Sequence, residues 1–534
     1  MDYKATLNLP RTDFPMRANL PKREPEMLRR WATLGLYGRM LARNAGRPRF
    51  VLHDGPPYAN GDIHLGHALD KVLKDIVVKS RSMGGWLAPY VPGWDCHGLP
   101  IEIQVEKEIG RAKKERMPKA EVRALCREYA ARFVDIQRGQ FERLGVLGDW
   151  QHPYLTMDFD YEAREIRLLG RCIEVGLLYR RKRPVQWCWS CLTALAEAEV
   201  EYADITSPSV YVAYPFVDPL PEPLAGLQGV AAAAWTTTPW TLPASLAVAV
   251  HPDHEYVAIA LGGRTLVVAA ALVPAHAHRL GERVTQADTK IIAHLRAMGT
   301  LLAAHDLVHS YPHCWRCKNS IVYRATEQWF IGMELADLRQ KALDEIDRIH
   351  WVPEWGRDRM HGMVATRPDW CLSRQRDWGV PIIALFCEAC GAEHTSRALC
   401  DHVAAIFERE GADAWYTRPI ADLVPPATRC ARCGGTEFRR ETDILDVWFD
   451  SGVSWSAVVE GRPELGGRAD MYLEGSDQHR GWFQSSLLTC VAVEGRAPYD
   501  VVLTHGFFVD GTGRKMSKSY RLLRRKRAVL RRRR

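Results

Sequence analysis

A chain of 534 residues that is 47% hydrophobic and 25% charged has the balance of a soluble globular protein and the length for two to four domains. Its longest clear apolar run, Leu266–Val273, stops at Pro274 and is too short to cross a bilayer, and no N-terminal segment reads as a secretory signal, so a membrane partner is excluded and a cytoplasmic location expected. The formal charge of +8 belongs to the tail: Arg521–Arg534 holds nine Lys or Arg and no acid, the remainder has 63 bases against 64 acids, and the body is therefore not read as RNA-binding from its charge.

Residues 1–49 read as a proline-punctuated N-terminal arm with one helix near Glu24–Leu41. Phe50-Val51-Leu52 follows as a short buried strand, then a Gly/Pro loop, His53–Gly61. Leu65, Leu69, Val72, Leu73, Ile76 and Val77 then recur at helical spacing, so 50–182 opens as the strand–loop–helix start of a nucleotide-binding α/β unit. Residues 100–180 are mostly helical in pattern. From Arg183 the texture turns strand-like, and 183–325 is expected to be an inserted, largely β domain. Residues 326–440 form a mixed extension. Strand signals return at Met471-Tyr472-Leu473 and Val501-Val502-Leu503, making 441–520 the second half of the α/β unit, followed by the basic tail 521–534.

Two stretches carry the chemistry. In Asp54-Gly55-Pro56-Pro57-Tyr58-Ala59-Asn60-Gly61 and His64-Leu65-Gly66-His67, a helix begins where a glycine-rich loop ends, so free N–H groups and a positive dipole end face the loop and suit a polyphosphate. Gly66 lets a planar base approach the backbone, and His64 and His67, three apart, share one helix face. Two ordinary surface histidines would read the same way. The second stretch is Gly513-Arg514-Lys515-Met516-Ser517-Lys518-Ser519, in which Lys515 and Lys518 could clamp the β- and γ-phosphates; a solvated basic loop is the plainer alternative.

Eight of the fourteen cysteines fall into four Cys-x-x-Cys pairs, a spacing that suits metal thiolates better than structural disulfides. Cys387/Cys390 and Cys430/Cys433, followed by Gly391 and Gly434, read as one zinc ribbon. Cys188/Cys191 and Cys314/Cys317 flank the insertion and would make a second structural site at its stalks. Free buried thiols are the alternative for both.

In this order the two phosphate-site stretches resemble the paired signatures of class I aminoacyl-tRNA synthetases. Pro89–Glu102, Ser373-Arg374-Gln375-Arg376, Asp446–Gly452 and Glu474–Trp482 are similar to the isoleucine-specific members, more than to the valine or leucine ones. The resemblance implies an α/β fold, a Rossmann-like parallel sheet split by an editing-type insertion and accompanied by zinc ribbons. It implies activation of isoleucine by ATP, with Mg²⁺ on the phosphates and two structural Zn²⁺, and transfer to tRNA(Ile) by a monomer. His64, His67, Lys515 and Lys518 would be catalytic. Gly66, Glu474, Gly475, Asp477, Gln478, His479 and Lys518 would hold ATP or the adenylate. The amino acid's ammonium would meet Asp95, Gln478 and the Pro56 carbonyl, with Trp448 and Trp482 walling its side chain.

Two departures from that family are visible. Trp235-Thr236-Thr237-Thr238-Pro239 resembles the threonine-rich strand of the editing domain, but no His-Thr-Ala-Pro partner segment occurs between Val250 and His309, where the text passes from strand-like near Val284 to helix-like over Ile291–Leu302. Loss of editing is the expectation. After Ser519 the family's Leu-Gly-Asn and helical anticodon-binding region are replaced by Tyr520 and the arginine-rich tail, so weakened adenylate formation and loss of tRNA charging are expected. The alternative to an isoleucine-activating module is a non-catalytic fragment that binds nucleic acid through this tail.

Overall fold

The computed structural model describes residues 6–8, 18–217, 219–220, 222–261, 263–272, 287–511 and 513. Lys515, Lys518, Val284 and the basic tail lie outside the described residues. The chain divides into two compact units, one of residues 1–199 and 322–534 and one of residues 200–321. Among the described residues no helix is long and apolar enough to cross a membrane.

The larger unit is organised by a four-stranded parallel sheet in the order Leu52–His53, Ala469–Gly475, Tyr499–His505, His350–Val352. Strands from the two ends of the chain are thus direct neighbours, with Leu52 in register with Met471. Tyr472, Tyr499 and Val502 are buried in the core beneath the helix Trp482–Glu494. That helix buries ten of its residues, and apolar side chains occur all round it, as in a helix covered on every side.

The single helix expected in the arm is two, Leu20–Leu34 and Leu36–Arg43. Gly35 between them adopts φ 58, a left-handed conformation that ends the first helix and turns the chain into the second. The strand expected at Phe50–Leu52 is Leu52–His53 and begins two residues later, because Phe50 still pairs with the loop at Leu87 (2.8 Å).

The helix after the loop, Leu65–Met83, departs from its sequence pattern more instructively. Leu65, Val72 and Ile76 of the expected apolar face are exposed, whereas Lys71, Lys74, Asp75 and Val78 are buried. The helix is turned so that its cations reach a buried acid, Asp54. Burying a charge without a partner costs far more than leaving three apolar side chains wet.

The smaller unit is a five-stranded sheet in the order Leu301–Cys314, Val200–Pro215, Val230–Thr236, Arg264–Ala269, Tyr256–Leu261. The helix Ala287–Ala297 packs Ile292 against Val210, Val212 and Ala304. It ends earlier than its sequence pattern suggested, since Leu301 and Leu302 already belong to a strand.

Candidate active site

In an open parallel sheet the ligand site lies beyond the carboxyl ends of the strands. Here those ends deliver the loop Asp54–Gly61, the turn Ser476–His479 and His505. Asp54 is fully buried and receives Lys71, Lys74 (2.8 Å) and the Gly93 N–H (3.1 Å). Lys74 also reaches Asp70 at 2.9 Å and Glu474, and His505 Nε2 lies 3.4 Å from Asp70. One ammonium therefore joins the loop, the helix and the neighbouring strand.

Burial opposes charge on Asp54, but the two lysines overcome it and hold its carboxyl well below the usual range. Glu474 goes the other way: burial first, then the Asp70 carboxylate, pushes it well up. A Cβ on Gly55 would lie 2.3 Å from Glu474 Oε1 and 2.8 Å from the Trp482 ring, so only glycine lets the loop pass between them.

His64 caps the helix Leu65–Met83, its Nδ1 accepting from the His67 N–H at 3.3 Å. The two imidazoles stack with centroids 3.7 Å apart, and a Cβ on Gly66 would meet the His64 ring at 2.9 Å. Both histidines therefore lie at the N-terminal end of the helix, a place suited to anionic oxygens.

The amino-acid residues expected from sequence converge by backbone pairing. Asp95 donates its N–H to the Pro57 carbonyl at 2.9 Å and accepts from the Ala59 N–H at 2.9 Å, which puts the Pro56 loop beside the Asp95 segment. Gly98, at φ +91, lies against Val447, where a Cβ would approach to 3.2 Å, so the Asp95 segment runs beside the helix Val447–Gly452 that carries Trp448. Gln478 Oε1 accepts from the Trp482 N–H at 3.0 Å. A Cβ on Gly481 would meet Gln478 Oε1 at 2.6 Å and the Trp448 ring at 2.7 Å, which brings those two side chains together.

Trp482 is buried to 2%, stacked on Tyr472 with centroids 4.0 Å apart, its Nε1 donating to the Ser451 carbonyl at 3.0 Å. It forms a floor under Gly55, whereas Trp448 is only half-buried. Asp477 is exposed, with Oδ1 2.8 Å from where a Gly475 Cβ would stand. His479 is not brought to this group: it is buried between Trp351 (5.9 Å) and Trp355 (5.6 Å), its Nδ1 near the Ser476 carbonyl at 3.1 Å.

Arg374 ties Glu199 (2.9 Å) to Asp446 (3.1 Å), and Asp446 caps the Trp448 helix. Glu102 accepts the N–H groups of Asp377 (3.1 Å) and Trp378 (3.3 Å). Both motifs hold the site's walls from behind. Sequence reasoning missed Lys71, Lys74, Asp70 and His505. Its one available signal was two lysines at the spacing of one helix face, beside an aspartate that opens a buried loop.

Cys387, Cys390, Cys430 and Cys433 place their sulfurs within 4.8 Å of one another, with Cys387–Cys433 at 3.5 Å and Cys390–Cys430 at 3.6 Å. A tetrahedral ion with ~2.3 Å bonds to sulfur would set them about 3.8 Å apart. Gly391 (φ +69) and Gly434 (φ +75) close two equivalent knuckles, donating to the Cys387 and Cys430 carbonyls at 2.8 Å each. The Cys433 and Arg432 backbone N–H groups draw the Cys430 thiol down, while the neighbouring sulfurs push Cys433 up. This donor set fits zinc. In the larger unit, Cys188 Sγ accepts from the Cys191 N–H at 3.2 Å. In the smaller, the Cys314 carbonyl accepts from the Lys318 N–H at 2.9 Å, so each of these pairs also sits in a tight turn.

Thr236 ends a strand of the smaller unit, and Thr237 and Thr238 follow it before the short helix Pro239–Ala244. Thr236 Oγ1 accepts from the Thr238 N–H at 3.1 Å and lies 3.0 Å from Thr238 Oγ1.

This parallel sheet, its loop and its histidine-capped helix are those of a class of enzyme: the chain belongs to the class I tRNA synthetases of the I, L, M and V group, whose family model matches residues 26–531. It is 52% identical to the isoleucine–tRNA ligase of Geobacter sulfurreducens, over 97% of this chain and 66% of that protein. It is 49% identical to the isoleucine–tRNA ligase of Syntrophotalea carbinolica, over 97% of this chain and 65% of that protein. The chain spans about two thirds of the length of these relatives. The first match runs over 606 positions, whereas 97% of 534 residues is about 518, so roughly 88 of those positions have no residue here. A solved LeuRS of Agrobacterium radiobacter K84, in a ternary complex with tRNA and LeuAMS, superposes with a TM-score of 0.49 at 16% identity, covering 94% of this chain and 70% of that one.

Proposed function

We propose that the chain activates isoleucine with ATP, forming isoleucyl-adenylate and pyrophosphate, as the catalytic part of an isoleucine–tRNA ligase. The observation that carries this reading is the pairing of the Asp95 segment with the Pro56 loop, and of Gln478 with Trp448, in a chain 52% identical to an isoleucine–tRNA ligase.

The isoleucine carboxylate attacks the α-phosphorus, and pyrophosphate leaves; no protein nucleophile is required, so catalysis is positioning and charge stabilisation. Asp95, the Pro56 carbonyl and Gln478 hold the ammonium, which needs an acid and neutral acceptors once desolvated. Trp448 walls the aliphatic side chain and Trp482 supports the loop from below. Gly66 admits the base, His64 and His67 donate to phosphate oxygens, and Glu474, Gly475 and Asp477 border the adenylate. Lys515 and Lys518 take the leaving pyrophosphate. Mg²⁺, bound with the nucleotide, supplies further charge to its phosphate oxygens. In the intact family the isoleucyl group then passes to tRNA(Ile); monomeric action and a cytoplasmic setting belong to the same reading.

Zinc at Cys387/Cys390/Cys430/Cys433 is structural, since four thiolates leave no open position. The spacing of the pairs Cys188/Cys191 and Cys314/Cys317 suits a second ion. Editing is proposed to be lost, because Thr236–Thr238 lacks the partner segment the family supplies. Isoleucine-dependent exchange between ATP and pyrophosphate tests the activation. Hydrolysis of Val-tRNA at a rate well above the spontaneous one would refute the loss of editing.

A further inference from the structure

One buried cluster takes no part in this reaction scheme. His97 is fully buried two residues beyond Asp95, and both of its ring nitrogens face carboxylates. Nδ1 lies 2.9 Å from Asp450 Oδ2, and Nε2 lies 3.4 Å from Glu162 Oε1. A neutral imidazole has one N–H to offer two carboxylates; an imidazolium offers one to each, a hydrogen bond to Asp450 and an ion pair with Glu162.

The surroundings are consistent with that charge. Glu162, on the helix Phe159–Glu174, also receives Arg127 at 3.1 Å and the Ala412 N–H at 2.7 Å. Asp450 accepts the Tyr161 hydroxyl at its carbonyl (2.6 Å). Glu165, one helical turn from Tyr161 and fully buried, is pushed well up by burial and by the Asp450 carboxylate. Arg127 and Arg123 lie on the cationic side of this cluster, and Glu162, Asp450, Glu165 and Asp95 on the acidic side. Trp378 closes the remaining side, edge-on to His97 at 4.8 Å, with Arg123 (5.3 Å) and Arg127 (5.4 Å) against its ring.

The cluster spans two walls of the amino-acid pocket. The backbone N–H of His97, not its ring, is aimed at Asp95 Oδ1 (3.4 Å), so a His97 side chain held in place also holds the backbone that orients this carboxylate. Asp450 lies two residues from Trp448 on the helix Val447–Gly452. We propose that His97 is a positioning residue for isoleucine, its imidazolium tying the Asp95 segment to the Trp448 helix so that isoleucine affinity depends on its second proton. The proposal rests on the reading that Asp95 receives the substrate ammonium.

The test is kinetic and pH-resolved, on the full chain. Loss of a charge-assisted hydrogen bond of ~1.5–3 kcal/mol corresponds to about 10–100-fold in affinity. His97→Gln and Asp450→Asn should raise KM for isoleucine by about that factor and leave KM for ATP within about twofold. In the wild type, isoleucine Kd should rise with pH as His97 deprotonates, and in His97→Gln that rise should be missing; the substrate's own ammonium titrates equally in both. Equal isoleucine KM and equal pH profiles in wild type and variant would overturn the proposal. No isoleucine binding by the wild type would instead overturn the functional reading. Should the variants fail to fold, ¹⁵N-histidine spectra of the wild type decide: a doubly protonated His97 ring at pH 7 supports the proposal, and a singly protonated ring at that pH rejects it.

Discussion

Lys74 donates to Asp54 at 2.8 Å where neither side chain is exposed to water, and the same ammonium reaches Glu474, 400 residues away in the chain. Residues 200–321, a separate unit, intervene between these partners in sequence, so the contact is where the two ends of the catalytic sheet are held together. Lys74→Met would leave Asp54, Asp70 and Glu474 short of a cation. Removing one partner of a buried ion pair costs about 3–5 kcal/mol. The variant should lose that much in urea unfolding and bind ATP more weakly; a loss under 1 kcal/mol would show that Lys71 alone suffices for Asp54.

Gly55→Ala should damage activation more than folding. The added methyl points at the Glu474 carboxyl and the Trp482 ring, and Trp482 cannot retreat because it is stacked on Tyr472. The loop must move outward instead, and displacements near 1 Å at a reacting centre cost about 100-fold. ATP–pyrophosphate exchange should fall by that order while the melting temperature changes by only a few degrees.

His53 gives a pH dependence. It is fully buried beside Ser454 (3.0 Å), and burial lowers its pKa to about 3. A histidine depressed in the folded state is protonated first in the unfolded chain. Stability is therefore retained above pH ~6.5 and falls as pH drops from there toward 3, by about 1.4 kcal/mol per pH unit. Asp54, held well below its usual range, adds a loss at the acid end. His53→Gln should flatten the slope between pH 6 and 4 by one proton in urea titrations.

The ribbon of Cys387, Cys390, Cys430 and Cys433 should retain zinc through gel filtration, and Cys430→Ser should release it. Structural zinc binding is worth about 10–16 kcal/mol in small domains, so chelation should unfold the ribbon and expose its three short strands to proteolysis. A stoichiometry of two ions per chain would support the second site; one would confine zinc to the ribbon.

What was legible in the sequence was what depends on local spacing. The histidine-capped helix start, the cysteine knuckles with Gly391 and Gly434, and the strands near 471 and 501 all follow from neighbours within a few residues. Lys71 and Lys74 were hidden because apolar periodicity assigns lysines to the wet face, and only the buried Asp54 reverses that. His97 was visible in its motif, but its partners Glu162 and Asp450 lie 65 and 353 positions away, which no window of sequence can join. The kink at Gly35 was missed because an isolated glycine is tolerated inside helices as often as it ends them.

The central claim is that the site gathered around Asp54, Asp95 and Lys74 recognises isoleucine and activates it. ATP–pyrophosphate exchange with each of the aliphatic amino acids tests it most directly. One missing methylene changes binding by about 1–3 kcal/mol, a figure for which isoleucyl-tRNA synthetase is itself the standard illustration. The account predicts exchange that requires isoleucine, falls about 10–200-fold with valine and is lost in Asp95→Asn. Exchange that is equal for isoleucine, valine and leucine, or undiminished in Asp95→Asn, would contradict it.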